Sequence, residues 1–192
     1  MANNADKVLF GLPAANTNGV VSSAPLGTAL PTDSRTPLNP AFIGGGYVGD
    51  AGVSLAIDIS TNDVFDMGGT LLRRVLNEFT GTLNWPYSQL DDISAKATFG
   101  EANVTVTPAT SQHGEQLSIA IGAELPEKRS WVFDMRDGDN LIRVVVPIGQ
   151  ITSWDSISFS RSDPINFTPT LSAYPDENGK SIYFYTDDGE VS

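Results

Sequence analysis

The chain has 192 residues and carries 11 Lys+Arg against 23 Asp+Glu, a formal net charge of −12. That balance argues against a grip on nucleic acid or on an anionic membrane, since both need clustered positive charge, and the length predicts one domain, or one domain with long arms. With no cysteine there are no disulfides, thiolate nucleophiles or zinc–thiolate centres, while 18 glycines and 12 prolines favour a turn-rich, β-rich fold.

Residues 1–52 read as an extended N-terminal arm. Its start, MANNADKVLFG, lacks a basic segment leading into an apolar run, so no signal peptide is expected. Pro13, Pro25, Pro31, Pro37 and Pro40 recur among Asn, Thr and Ser. Proline removes a ladder donor and holds its predecessor extended, so the path is predicted to be extended but not central in a sheet. Two apolar patches, Val8-Leu9-Phe10 and Val20-Val21, are expected to dock on a neighbouring molecule. Gly44-Gly45-Gly46-Tyr47-Val48-Gly49 matches GxGxxG as a string, but an alternating strand follows it where a dinucleotide site needs a helix. It is read as a hinge between arm and sheet.

Residues 53–192 read as a single β-sandwich or barrel-like domain of about ten strands with one helix. Val53, Leu55, Ile57 and Ile59 alternate with Ser54, Ala56, Asp58 and Ser60, the pattern of a half-buried strand. A polar loop over 61–69 carries Val64, Phe65 and Met67, and strands are predicted at 70–78 and 80–85, with Gly81 marking a bulge or bend. The helix is predicted over 89–99, with Ser88 as its cap, Asp91 and Asp92 in the first turn, and Gly100 as its stop. Leu90, Ile93 and Ala97 form its apolar stripe.

Strands at 104–107 and 117–123 flank a polar loop, and strands at 130–136 and 141–146 flank Asp137-Gly138-Asp139-Asn140, where Gly and Asn tolerate positive φ. Leu141–Val146 is apolar on both faces, as a strand covered on both sides requires. Strands at 151–160 and 165–174 follow, and 182–186 is expected to pair back across the Asn178-Gly179 turn.

Chemistry-bearing motifs are scarce. His113 is the sole histidine, in a loop without a second ligand. Asp134, Asp137 and Asp139, and separately Asp187, Asp188 and Glu190, lack calcium-loop spacing and read as solvated turn residues. Neither a Gly-x-Ser-x-Gly elbow nor a Walker lysine loop is present, so no enzyme, cofactor or metal is expected. Trp85, Trp131 and Trp154 lie among apolar residues and are expected in core or subunit packing.

Several strings taken together do resemble a known family: Lys7–Gly11, Ala24–Asp33, Gly46–Val53, Arg129–Asp139, Ile142–Pro147, Ala173–Glu177 and Tyr185–Gly189. In order and from end to end, they are similar to the major tail (tail tube) proteins of long non-contractile-tailed phages of actinobacteria. The resemblance implies a β-sandwich-like subunit with one flanking helix, and homo-hexameric rings stacked into a tube that conducts DNA from capsid to host. It implies a tape-measure protein and tail tip and terminator proteins as partners, assembly in the host cytoplasm, and no membrane.

A DNA conduit must not bind DNA, so part of the acidic excess is expected to face the lumen, with Asp58, Glu78, Asp134 and Asp139 as candidates. The arm and the 61–69 loop are the expected ring-to-ring contacts, through Leu9, Phe10, Val20, Phe65 and Met67. Deleting Met1–Pro25 should then leave a folded subunit that no longer polymerises. The alternative function is a carbohydrate-binding or adhesin-type β-sandwich module on a virion surface.

Overall fold

The structure is a computed structural model and describes residues 8–13 and 19–190. The parts of the expected arm at 1–7 and 14–18 lie outside the described residues.

Strands β1 (Leu12–Pro13), β2 (Val21–Pro25), β3 (Ile43–Gly45), β4 (Ser54–Phe65) and β5 (Leu71–Asn84) precede helix α1 (Asp92–Phe99). After it come β6 (Val104–Thr107), β7 (Gln116–Ile119), β8 (Arg129–Asp137), β9 (Asn140–Trp154), β10 (Pro169–Tyr174) and β11 (Tyr183–Asp187). Among the described residues, nine strands form one antiparallel sheet in the order β3-β2-β8-β9-β10-β5-β4, with β1 added to β8 and β11 to β9. Strands β6 and β7 form a separate ribbon. The chain is mainly β and sandwich-like, with a single short helix among the described residues.

The 15 residues of β9 organise the packing. Val144 and Val146 point into the larger core with Trp85, Trp131, Phe133, Ile151 and Leu171. Val145 points to the other side, with Val132, Ala24 and Phe42. The expectation of a strand apolar on both faces is met, because each face has its own cover. Trp85 sits 5.4 Å from Trp131 and 5.1 Å from Phe133 between ring centroids. Trp154 stacks on Phe99 of α1 at 5.8 Å. The Gly138-Asp139 turn joins β8 to β9 as expected, with Gly138 at φ 59°.

The structure corrects several sequence expectations. The segment around Val21–Pro25 is not a peripheral arm. Strand β2 lies inside the sheet between β3 and β8, and its first four residues are buried. Its only proline is its last residue, where the ladder ends. Gly44-Gly45-Gly46 is no hinge: Gly44 and Gly45 belong to β3, where a Cβ on Gly45 would lie 2.8 Å from the hydroxyl of buried Tyr87. Glycine is there for close approach.

Helix α1 starts later than expected. Asp91 is its N-cap, accepting from the Ser94 amide at 2.8 Å while Ser94 Oγ accepts from the Asp91 amide at 3.0 Å. Ser88 instead donates to Asn166 at 2.7 Å. The buried face is Ser94, Ala95, Ala97, Thr98 and Phe99, and Leu90 is exposed ahead of the helix.

The two strands expected at 70–78 and 80–85 are one, β5, and the loop at 61–69 is mostly the end of β4 and a tight turn. Gly81 is not a bulge; its missing Cβ admits Ile182, whose Cδ1 would lie 2.8 Å away. Strand β11 pairs with β9, opposite Leu141–Val145, and not back with β10. It continues the line of β10 after an excursion closed by Asp176.

Candidate functional site

The upper part of the sheet is a four-stranded segment, β9-β10-β5-β4, aligned at Ser153↔Thr170↔Asn84↔Ser54. Directly opposed residues share a face in an antiparallel ladder. One face therefore collects Gln150, Thr152, Thr170, Ser172, Thr82, Thr80, Ala56, Asp58, Ser60 and Glu78. Thr152 and Ser172 hydroxyls are hydrogen-bonded at 2.8 Å. Asp58 stands opposite Thr80 and Glu78 opposite Ser60, both carboxylates exposed. None of these residues is basic; Lys128, over the Tyr174 ring at 4.0 Å, borders the patch.

The other face of the same strands is apolar. Leu83, Leu171 and Ile151 on it are buried in the core. The row continues outward along the β4–β5 hairpin as Ile57, Ile59 and Phe79, which are 54%, 62% and 44% exposed. Among the described residues they are left open to solvent, and every residue from Ser54 to Phe79 is exposed.

Asn77 bulges between the Ser60↔Glu78 and Thr61↔Leu76 pairs, which resets the alternation of β5. Beyond it both faces carry apolar side chains: Val64 and Val75 on the side of Asp58, Phe65, Leu71 and Leu76 on the other. Asp63 and Arg74 close an ion pair across this distal half at 2.6 Å, which lowers the Asp63 carboxyl and raises the Arg74 guanidinium. Contiguous exposed apolar surface of this kind is characteristic of interaction sites.

Two edges of the segment are open among the described residues. The outer edge of β4 has no partner, and β8 stops pairing with β9 at Gly149, leaving 150–154 free on that side.

The expected site residues divide accordingly. Asp58 and Glu78 come together on the polar face. Asp134 does not reach any surface: it is buried and holds Arg143 through both carboxylate oxygens, at 2.6 and 3.1 Å. Its charge is balanced inside the subunit, which removes it from the lumen candidates. Asp139 is exposed at the β8–β9 turn, away from the polar face and against Gly189.

Phe65 ends β4, and Met67 is fully exposed in the turn after it. Leu9 and Phe10 are exposed beside the β8–β9 turn, where the Phe10 amide donates to Asp137 at 3.0 Å. Val20 is corrected: it is buried in its own subunit's core, next to Val21. Among the described residues His113 meets the Gly114 carbonyl, and no group of metal-ligating side chains occurs. Trp85 and Trp131 are buried, so two of the three indoles are withheld from any sugar-stacking platform.

Sequence reasoning did not single out Ile57, Ile59, Leu72, Leu76 and Phe79, which the structure leaves exposed. The alternation of Ile57 and Ile59 reads as a half-buried strand, whereas the described residues leave both open.

A family model described as phage tail tube protein matches residues 1–192. No curated protein matches the sequence. The chain belongs to the phage tail tube protein family, and it is a structural protein of the virion tail.

Proposed function

We propose that the four-stranded segment joins edge to edge with identical copies, closing rings that stack into the tail tube and conduct the genome. The observation that carries this reading is the segment itself: polar on one face, uncovered and apolar on the other, and open at both edges. Strand directions suit the junction. From β9 to β4 they alternate, so β4 of one copy meets the free 150–154 edge of the next in antiparallel sense. Such a junction is heterologous, using a different surface on each side, which is what a ring requires.

Six copies, the number the family resemblance implies, make a barrel of roughly 24 strands. At ~4.8 Å per strand the circumference is at least ~115 Å and the backbone diameter at least ~37 Å. Asp58 and Glu78 then point into the channel, and six chains of −12 carry about −72. The apolar underside and the hairpin's distal half are covered by neighbours within and between rings, each Ile, Leu or Phe contributing about 1.5–3 kcal/mol when fully buried. A tape-measure protein inside the channel and tip and terminator proteins at its ends complete the tail, which is assembled in the host cytoplasm.

Electron microscopy of the purified protein and of gold-labelled virions tests this. The expected images are hollow tubes and label along the tail shaft. Label confined to another part of the particle, or solitary monomers with measurable glycan binding, would overturn it.

A further inference from the structure

The proposal that follows rests on the tube reading and concerns how one ring recognises the next. Arg73 and Arg161 are the two exposed arginines left unpaired among the described residues, and Arg73 lies on the Asp58 side of the β4–β5 hairpin. It is exposed in the distal half of the β4–β5 hairpin, opposite Val64, and among the described residues its guanidinium has no ion-pair or hydrogen-bond partner. The adjacent Arg74 is different, being taken up by Asp63.

An unmatched carboxylate lies at the other end of the same four-stranded segment. Asp155 directly follows β9, and its amide donates to the Thr168 carbonyl at 3.0 Å, which fixes it at the rim beside the start of β10. It is exposed and its carboxylate has no partner among the described residues. Asp50, also exposed, lies in the loop that leads into β4.

Register places the two groups at opposite ends. Ser54 is level with Ser153, and Arg73 lies level with Val64. Ten residues of strand at ~3.3 Å each separate those levels by ~33 Å. Each end of the segment therefore offers an unpaired charged group, Arg73 toward the hairpin turn that also carries Asp66, and Asp155 at the rim, with Arg161 in the loop beyond it.

We infer that Arg73 of one copy pairs with Asp155 of a copy in the adjoining ring, so that rings stack head to tail and not head to head. Like ends would bring Arg73 against Arg73 or Asp155 against Asp155. One exposed pair is weak, but every ring junction repeats it in each copy, so the contributions multiply as in any multivalent contact.

The test uses phage whose tail protein carries Arg73→Asp, Asp155→Arg, or both, with tails imaged by electron microscopy and the purified variants melted to verify folding. Each single reversal is expected to lower the yield of tailed particles at least ~10-fold, and the double reversal to restore tails. Folded single variants with normal tails, or a folded double variant no better than the singles, would overturn the pairing while leaving the tube reading intact. Wild-type virions without label along the shaft would instead remove the tube reading, and this inference with it.

Discussion

Arg143 and Asp134 form the most consequential pair of residues in the subunit. Arg143 also donates to the carbonyls of Asp33 and Thr36, at 3.0 and 2.7 Å, and so ties the 26–42 connection down over the smaller core. Breaking a buried pair strands a charge. Asp134→Ala should destabilise the subunit by about 3–5 kcal/mol in urea unfolding, whereas replacing both partners with apolar residues should cost much less.

A second pair behaves differently because it is exposed. Arg35 grips Asp187 through two nitrogens and holds its carboxyl down to about 2, with the Gly189 amide helping. A depressed carboxyl stabilises the fold above its unfolded pKa of ~3.9 and loses that contribution as pH falls through the folded value. Protection of the 183–189 amides, taken relative to their intrinsic exchange rates, should fall as pH drops from ~4 to about 2, and Asp187→Asn should abolish that dependence. Neither pair was legible in the sequence. Asp134 looks like a turn aspartate beside Asp137 and Asp139, and only the β8–β9 register brings Arg143 opposite it.

At the scale of elements, the N-terminal region holds the sharpest prediction. Removing residues 1–18 deletes only the two-residue β1 from the described sheet, so the melting temperature should change little while polymerisation is lost with Leu9 and Phe10. Removing 1–25 also deletes β2, whose buried Val21 and Ala24 serve both cores, and should leave the subunit unfolded by circular dichroism. The sequence hid β2 because Ser22 and Ser23 interrupt its apolar pattern, although both are buried.

From sequence β5 reads as two strands because Gly81 suggests a bulge or bend near their junction. The bulge at Asn77 shifts its alternation, so one strand carries two phases of the same period. The β8–β9 hairpin was readable because Gly138 needs its left-handed φ and both flanks are strongly apolar. The helix was readable as an element but not in its buried face, since apart from Phe99 it packs through the small residues Ser94, Ala95, Ala97 and Thr98, which no hydrophobic stripe announces.

For the whole molecule, acidity was legible and its placement only in part. Of the four carboxylates expected in the lumen, Asp58 and Glu78 share the polar face, and that relation depends on cross-strand register, which no spacing along one chain encodes. Charge reversal of both, Asp58→Lys with Glu78→Lys, should leave tubes intact and slow genome ejection, because a ring of cations holds phosphate. Single-particle ejection assays measure this, and unchanged ejection through intact tubes would exclude a steering role for these two side chains.

The four strands of the joining segment carry one more implication. Because their number is even, each copy in the proposed ring would hand the circle on in the same chain direction in which it received it. Edge pairing alone thus cannot count: it would extend a belt of five, six or seven subunits with equal ease. In the proposed ring the tally would be left to the pitch of one subunit against the next, and the exposed apolar row of Ile57, Ile59 and Phe79 would then gauge the bore as well as hold it.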